Sequence, residues 1–371
     1  MKILHINCNY IGTTLHQLMI EELERQGIEN EVFVPTYDKN LAVIRQNDNV
    51  VVSECFHKRD RLVFDYKQKK IIKAIEECYD ITNYDLIHAY TLFTDGNVAK
   101  ILSKKYKIPY IVAVRNTDVN SFFRKRKFLH SRGVKILLSA SKVFFLSSSY
   151  QKIVFEKYIP KEYQKKIKEK IQIIPNGIDK FWLENENINR NYAEINRRID
   201  EKQIKLVYVG NIDKNKNITL TCKAINWLKE DNWKIGFTVI GKIRDKSVYN
   251  AIKAHVQYLS PRPKEKLIEQ YRSADIFVMP SIYESFGLVY VEAMSQGLPV
   301  IYSKNQGFDG QFPEGKVGYA VDNKEVTSIA EAIKKITESY VDISKNAMVC
   351  AKKFNWKNIC EIYKQCYLNI I

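Results

Sequence analysis

Residues 276–300, with the sequence IFVMPSIYESFGLVYVEAMSQGLPV, predict a strand, a loop, a helix and the start of a second strand. Ile276 to Met279 is continuously apolar, which is typical of a strand buried on both faces. Pro280 ends that strand. A helix is predicted from near Phe286 to Gly297, because glycine readily adopts the left-handed conformation that follows a last helical turn. Strand–helix–strand units of this kind build parallel sheets covered by helices, so the stretch predicts an α/β fold.

Two carboxylates stand at informative places in this unit. Glu284 lies in the loop at the carboxyl end of a strand, where open α/β sheets bind ligands. Glu292 lies about 9 Å further along the helix, at roughly 1.5 Å per residue. Between them, the first backbone N–H groups of the helix, from Phe286 to Leu288, are free to hold an anion. We therefore expect a diphosphate on these amides, with a sugar at Glu284 and a ribose at Glu292. The alternative is two surface glutamates without a shared site.

The same alternation of strands and helices extends through both halves of the chain. Strands with intervening helices are predicted from Lys2 to Leu146 and again from Ile204 to Val321. A chain of 371 residues is longer than one ordinary domain, so two domains are expected. The polar run from Glu184 to Asp200 is the predicted linker.

Composition indicates a soluble protein of a reducing compartment. Hydrophobic residues make up 45% of the chain and charged residues 27%, as in ordinary globular proteins. No apolar run reaches the roughly 20 residues that span a bilayer, and the polar start at Met1 is unlike a secretory signal. The seven cysteines are scattered, without a Cys-x-x-Cys pair, which favours free thiols in the cytoplasm.

Basic residues are concentrated in one part of the chain. The net charge is +17, and residues 101–150 contain eleven Lys and Arg against one acid, Asp118. Within this region, residues 122–132 (FFRKRKFLHSR) interleave aromatic and basic side chains on a predicted helix. Such a helix suits the headgroup region of an anionic membrane. The alternative is a helix that turns its aromatic residues into the core and leaves its charges in solvent.

The opening stretch resembles the donor-site signature of the family 4 (group 1) retaining glycosyltransferases of the GT-B fold. The matching positions are Pro280, Ser281, Glu284, Ser285, Phe286, Gly287, Leu288, Glu292, Ala293, Met294, Gly297, Pro299 and Val300. The resemblance implies two Rossmann-like α/β domains facing each other across a cleft. It places an acceptor-side domain at residues 1–180, a nucleotide-sugar donor domain at 181–354, and a terminal helix that returns to the first domain at 355–371.

The resemblance also implies roles for individual residues. Glu284 would orient the transferred sugar, Glu292 the ribose, and Lys216 the diphosphate. The implied catalytic residues are Glu284, Arg115 and Asp118. The implied donor-binding residues are Gly12, Asn211, Lys216, Ser285, Phe286, Gly287, Leu288 and Glu292.

Three of these positions depart from the family pattern. Asn211 stands where the family usually has an arginine, and Lys214 or Arg244 would have to supply the missing charge. Arg115 stands where a histidine is common, and it would suit an anionic sugar, a phosphate or the leaving diphosphate. Capping of a strand end beside Asp118 is the alternative role for Arg115. Gly12 is the only glycine of a loop that is usually glycine-rich.

The implied reaction is transfer of a hexose from a UDP- or GDP-linked sugar to a hydroxyl acceptor, with retention of anomeric configuration. The sugar nucleotide is a substrate, and no cofactor is expected. Asp-x-Asp is absent, which argues against the metal-dependent glycosyltransferase architecture, so no metal site is predicted. The implied acceptor is a glycan, or a lipid-linked glycan of bacterial capsule, O-antigen or exopolysaccharide synthesis. The predicted location is cytoplasmic, with peripheral contact to the inner membrane face through residues 122–132.

Other functions fit parts of the sequence. A nucleotide-sugar epimerase or phosphorylase shares the expected fold, and an inactive transferase would account for Asn211 and Arg115. A nucleic-acid-binding protein would account for the basic region, but no recognised nucleic-acid module occurs, so no nucleic-acid partner is predicted. Motifs of P-loop enzymes, serine hydrolases and zinc proteases are also absent.

Overall fold

The computed structural model describes residues 1–38, 40 and 49–371. The chain divides into two compact units. Unit 1 comprises Met1–Gly177 together with Trp356–Ile371, and unit 2 comprises Ile178–Asn355. Each unit is built on one parallel sheet.

In unit 1, the described residues form a seven-stranded sheet in the order β3-β2-β1-β4-β5-β6-β7. Its strands are β1 (Lys2–Ile6), β2 (Glu29–Thr36), β3 (Val50–Glu54), β4 (Leu86–Ala89), β5 (Tyr110–Ala113), β6 (Lys142–Phe145) and β7 (Ile171–Ile173). Its first six helices are α1 (Leu15–Arg25), α2 (Phe64–Cys78), α3 (Thr94–Tyr106), α4 (His130–Ser139), α5 (Ser148–Tyr158) and α6 (Lys161–Lys168).

Both faces of this sheet are buried, as its apolar strands predict. Neighbouring residues of one strand enter different cores: Ile3 belongs to one hydrophobic cluster and Leu4 to the other, and Ile111 and Val112 divide in the same way. Successive side chains of a strand point to opposite faces, so a strand that is apolar at every position needs cover on both sides.

In unit 2, the described residues form a six-stranded parallel sheet in the order β10-β9-β8-β11-β12-β13. Its strands are β8 (Gln203–Val209), β9 (Lys234–Ile240), β10 (Gln257–Leu259), β11 (Ile276–Met279), β12 (Val300–Ser303) and β13 (Gly318–Val321). Its helices are α7 (Lys180–Glu184), α8 (Tyr192–Asp200), α9 (Ile218–Glu230), α10 (Lys246–Ile252), α11 (Lys264–Ser273), α12 (Leu288–Ser295), α13 (Val326–Glu338) and α14 (Tyr340–Ala351).

Both sheets follow the doubly wound order, in which the third, second and first strands lie on one side and the fourth and later strands on the other. The order reverses between β1 and β4 in unit 1 and between β8 and β11 in unit 2. A crevice opens outside the carboxyl ends of the strands at such a reversal, and ligands of open α/β sheets bind there. The topology therefore gives each unit one preferred ligand position.

The last helix, α15 (Trp356–Leu368), packs on the sheet of unit 1. Its Tyr367 hydroxyl lies 2.8 Å from Nδ1 of the buried His88 in β4, and Lys364 Nζ donates to the Gln26 carbonyl at 2.8 Å. Trp356 lies against Gly177, where a Cβ would come within 2.5 Å of the indole ring. The chain thus leaves unit 1 after Gly177 and rejoins it at Trp356.

The predicted linker at residues 184–200 is wrong. Most of this polar run folds inside unit 2, as the turn after α7 and as α8. Arg190 is buried and donates to the Ala274 carbonyl at 2.7 Å, and Arg198 pairs with the buried carboxylate of Asp275. A polar composition predicted a solvated linker, but these cations instead satisfy acceptors beside the sheet.

The predicted helix over residues 122–132 is also wrong. Residues Asp118–Phe123 form a wide π-type turn, Lys127–Leu129 a tight turn, and α4 begins only at His130. None of the described helices is both long enough and apolar enough to cross a bilayer.

Candidate active site

The best-developed candidate site lies at the strand reversal of unit 2. Lys216 follows β8, Glu284 follows β11, and these two neighbouring strands bring their loops together. Lys216 Nζ lies 2.7 Å from Glu284 Oε2, and the two side chains are 19% and 11% exposed. A lysine and a glutamate that are 68 residues apart thus form a half-buried ion pair at the position where this fold binds ligands.

Hydrogen bonds hold the backbone around Glu284 on both sides. The Glu284 N–H donates to Gln306 Oε1 at 3.0 Å, and the Gly307 N–H donates to the Glu284 carbonyl at 2.7 Å. The side-chain amide of Asn215 holds Tyr283, the residue before Glu284. It accepts from the Tyr283 N–H and donates to the Tyr283 carbonyl, at 3.0 Å each. Within the loop, the Glu284 carboxylate itself accepts the Ser285 N–H on Oε1 at 3.1 Å, so both the backbone contacts and the carboxylate fix its conformation.

Two glycines allow the close backbone contacts of this loop. A Cβ on Gly307 would lie 1.9 Å from the Ser285 carbonyl oxygen. Gly287 has a φ of +82° and directly precedes α12, which begins at Leu288 and not near Phe286 as predicted. A residue in the left-handed region cannot belong to a right-handed helix, so Gly287 sets the first helical residue.

The start of α12 presents donors without acceptors. Among the described residues, no hydrogen bond uses the backbone N–H of Phe286, Gly287 or Leu288. The Phe286 ring itself is buried, with its centroid 5.5 Å from that of Phe354. The expected cradle for an anion on these backbone N–H groups stays a prediction.

Glu292 lies in the second turn of α12 and is half-buried. Burial raises the pKa of its carboxyl to about 7, while a hydrogen bond from the Tyr271 hydroxyl opposes that rise and the nearby Asp179 carboxylate adds to it. The Tyr271 oxygen lies 3.5 Å from Glu292 Oε2. A carboxyl in this setting changes charge near neutral pH, so its ability to accept a hydroxyl hydrogen bond depends on pH.

Asn211, which stands where the family has an arginine, is exposed at the end of β8. The loop after β9 runs beside it, because Ile212 and Ile243 form a bridge and the Arg244 N–H donates to the Ile212 carbonyl at 3.0 Å. Arg244 and Lys214 are both exposed at this edge of the sheet. The backbone arrangement thus brings the two alternative cations to the same edge as Asn211.

In unit 1, Arg115 and Asp118 lie in the loop after β5. Asp118 is fully buried, and its carboxylate accepts backbone N–H groups of Leu92, Phe93 and Arg115 at 2.9 to 3.2 Å. Burial raises the pKa of this carboxyl to about 6, and those hydrogen bonds limit the rise. The contacts of Asp118 are those of a positioning residue that joins two loops; its direct catalytic contact stays a prediction.

The Arg115 guanidinium is nearly buried. Its Nη1 donates to Asn176 Oδ1 at 3.1 Å, and it hydrogen-bonds Tyr363 of α15. Asp118 contacts its backbone and not its guanidinium. Gly12, in the loop after β1, has a φ of +97° and open space where a Cβ would stand. The donor and anion roles of these residues stay predictions.

Sequence reasoning missed the residues that hold Glu284. Asn215 and Gln306 lie in other loops, and neither belongs to the quoted motif. Their polar types and their positions after β8 and β12 were visible in the sequence. The pairing with the Glu284 loop was not visible, because it depends on the order of the strands.

Two family models match the chain. Residues 190–353 match the model described as glycosyl transferases group 1, and residues 12–180 match glycosyltransferase family 4. A probable sucrose-phosphate synthase from Thermosipho melanesiensis is 27% identical over 76% of this chain and 69% of that protein.

Solved structures share the fold. The sucrose-phosphate synthase of Thermosynechococcus elongatus aligns with a TM-score of 0.78 at 20% identity, covering 100% of this chain and 98% of that one. The Anabaena protein HepE, solved in complex with UDP-glucose, aligns with a TM-score of 0.69 at 18% identity over 100% of both chains.

Proposed function

Because the chain belongs to the family 4 (group 1) glycosyltransferases and has their GT-B fold, we propose that it moves a hexose from a nucleotide diphosphate sugar to a hydroxyl acceptor, with retention of anomeric configuration. The observation that carries this proposal is the Lys216–Glu284 pair beside three backbone N–H groups that have no partner in the part of the chain that the structure describes. These groups offer a cation, a hydroxyl acceptor and an anion cradle at one strand reversal.

The ion pair has a direct use in donor binding. In the free protein Glu284 neutralises Lys216 at 2.7 Å. A diphosphate that settles on the amides of Gly287 and Leu288 gives Lys216 a second anion, and Glu284 then turns its acceptor oxygens to the hydroxyls of the sugar. Lys216 and the helix amides stabilise the negative charge that develops on the departing diphosphate.

The transfer itself needs no protein nucleophile. The bond from the anomeric carbon to the phosphate oxygen breaks, and the acceptor oxygen bonds to that carbon on the face that the phosphate leaves. The departing phosphate oxygen takes the proton of the acceptor hydroxyl, so charge and atoms balance. Independence from a metal ion is part of the same proposal and is tested by assay in the presence of a chelator.

The proposed acceptor is a lipid-linked glycan of bacterial surface polysaccharide synthesis, used at the inner face of the cytoplasmic membrane. The basic region of unit 1 supports an acceptor at an anionic surface. Similarity to a probable sucrose-phosphate synthase makes a small sugar phosphate the second acceptor class to test. UDP-glucose is the first donor to test, because it is bound to the HepE structure.

The first experiment measures the thermal stabilisation of the full chain by a panel of UDP- and GDP-sugars. A ligand that binds only the folded protein at 100 times its Kd stabilises it by about 2.7 kcal/mol. Glu284→Gln should lose transfer by about two orders of magnitude or more, with little change in melting temperature. Glu184→Gln, which removes an exposed pair with Lys180, is the matched control and should keep full activity.

Two outcomes would overturn the proposal. If Glu284→Gln turned over like the unmodified chain, Glu284 would have no part in the mechanism. Release of a free epimer or a sugar phosphate, without extension of any acceptor, would assign the site to an epimerase or a phosphorylase.

A further inference from the structure

Unit 1 exposes large apolar side chains on two neighbouring segments. Leu62 is 85% exposed, Val63 58% and Tyr66 51%, at the start of α2, and Phe128 is 77% exposed in the turn before α4. Each of these side chains leaves apolar area in contact with water, so the protein does not gain the free energy that burial of this area would give. Their concentration at one place on the unit, with the packing described next, marks a surface for an apolar partner.

The structure changes which aromatic residues of the basic stretch can reach a partner. Phe123 and Leu129 are buried, and Phe122 stacks on Phe93 with ring centroids 4.9 Å apart. Of the four apolar residues in residues 122–132, Phe128 alone stays exposed. The sequence suggested one amphipathic helix, but the exposed apolar residues come from two segments.

Packing joins the two segments into one surface. The Phe64 and Phe122 rings lie 6.2 Å apart, and the Arg132 guanidinium covers the Phe64 ring at 5.0 Å. Arg132 also pairs with Asp65. A cleft of about 400 Å³ is bordered by residues of both segments, including Asp65, Phe128 and Arg132. Leu62, Val63 and Tyr66 flank Phe64 and Asp65 directly in the chain.

Positive charge surrounds this apolar surface. Residues 58–73 contain seven Lys and Arg against two acids, and residues 124–135 contain six Lys and Arg and no acid. Both acids are already paired within the unit, Asp60 with Lys70 and Asp65 with Arg132. The cations Arg61, Lys69, Lys125, Lys127 and Lys135 are exposed.

We propose that this surface, defined by Leu62, Val63, Tyr66 and Phe128 with the exposed cations Arg61, Lys69, Lys125, Lys127 and Lys135, docks on an anionic lipid bilayer. The apolar side chains enter the headgroup region, and the cations bind the phosphates of acidic lipids. A second copy of the chain would bring like charges together across the contact. A nucleic acid would leave Leu62 and Val63 without an apolar medium.

The docking surface deepens the proposed function by naming the medium that presents the acceptor. It uses none of the residues assigned to donor binding. Membrane binding and donor binding can therefore fail separately, and each has its own measurement.

The experiment sediments the full chain with vesicles of phosphatidylcholine alone or of phosphatidylcholine mixed with phosphatidylglycerol. We expect binding to the anionic vesicles that falls with added salt. The double variant Leu62→Ser/Phe128→Ser should weaken it by about tenfold or more, because burial of apolar surface is lost. Lys125→Ala/Lys127→Ala should weaken it on the order of fivefold per removed cation.

Control variants carry the same changes at exposed residues of unit 2. Ile188→Ser changes a side chain that is 77% exposed, as Phe128 is. Lys246→Ala/Lys253→Ala removes two exposed lysines of the α10 region. The controls should bind anionic vesicles as the unmodified chain does. Thermal stabilisation by UDP-glucose should be unchanged in every one of these variants, which separates membrane docking from donor binding.

Three results would overturn the proposal. Equal binding to neutral and anionic vesicles would remove the charge argument. Unchanged binding by Leu62→Ser/Phe128→Ser would show that the exposed apolar side chains do not contribute to vesicle binding. The chain could instead self-associate, or bind DNA in a salt-sensitive way, without binding vesicles. If the same variants abolished that interaction, the surface would be assigned to another partner.

Discussion

Glu284 and Glu292 lie eight residues apart, and their surroundings give them different chemistry. Glu284 is held 2.7 Å from Lys216, the cation proposed to bind the diphosphate. Glu292 has a phenol as its neighbour and the Asp179 carboxylate nearby, and burial raises its pKa to about 7. The same residue type thus pairs with a cation at one position and, at the other, accepts hydrogen bonds to an extent that depends on pH.

The raised pKa of Glu292 predicts how stability depends on pH. The folded protein holds this proton more tightly than the unfolded chain, in which the pKa of the carboxyl is near the ordinary glutamate value of 4.5. The free energy of unfolding should therefore fall as pH rises from about 4.5 to about 7, by an amount of order 1 kcal/mol or more. Urea denaturation across this range measures the slope.

Glu292→Gln should remove that part of the slope. The matched change Glu184→Gln affects an exposed glutamate and should leave the slope as it is. Donor affinity should rise as pH passes upward through about 7 in the unmodified chain, because the carboxylate form accepts the ribose hydroxyls. An identical pH profile for donor binding in Glu292→Gln would disprove the ribose contact.

At the scale of elements, the short helix α12 depends on the residue before it. Gly287 has a φ of +82°, which lets the chain leave the Glu284 loop and enter the helix directly, with the N–H groups of residues 286–288 making no hydrogen bond among the described residues. A Cβ at this position would lie 2.5 Å from the Tyr290 ring, whose hydroxyl donates to the Met279 carbonyl at 2.5 Å. The ring cannot move away without losing that hydrogen bond.

Gly287→Ala should therefore destabilise the protein by about 1–3 kcal/mol, from backbone strain and the clash with Tyr290. It should also weaken stabilisation by nucleotide sugars, because the amides of the cradle would shift. Gly236→Ala in β9 is the control, since a Cβ there meets no atom within 4 Å. Equal melting temperatures for the two variants would show that the conformation of Gly287 is not needed.

At the scale of the whole molecule, unit 1 is completed by residues distant in sequence, whereas unit 2 is one continuous segment. Unit 1 takes α15 from the end of the chain, and α15 covers a face of the sheet together with α1. Within this cover, the Tyr367 hydroxyl is the hydrogen-bond partner of Nδ1 of the buried His88. The last residues of the chain therefore stabilise a unit that begins at Met1.

Tyr367→Phe tests this closure. It leaves a buried histidine nitrogen without its partner, so the free energy of unfolding should fall by about 1–3 kcal/mol. Tyr249→Phe, at a half-buried tyrosine of unit 2, should change it much less. Chemical denaturation followed by circular dichroism measures the free energy of unfolding of both variants. If Tyr367→Phe lost no more stability than Tyr249→Phe, the packing of α15 alone would hold the helix in place, and the hydrogen bond would not be needed.

The sequence by itself determined the class of fold and the resemblance of residues 280–300 to the donor-site signature of the family. Apolar runs such as Ile276 to Met279 predicted buried strands because their periodicity is local, and the alternation with helices predicted parallel sheets. The GT-B fold expected from residues 280–300 is confirmed by the family models and the structural neighbours. The boundary of α12 was predicted two residues early, because the conformation of Gly287 depends on Tyr290 and the loop packed around it.

Only the tertiary structure decided which side chains meet and which face water. The Lys216–Glu284 pair, the support from Asn215 and Gln306, and the burial that raises the pKa of Glu292 all come from strands adjacent in space but distant in the chain. Burial likewise separated Phe123 from Phe128, and packing placed Phe128 and Asp65 of α2 on the border of one cleft. Exposure and pairing depend on the packing of many elements at once, so no local pattern contains them.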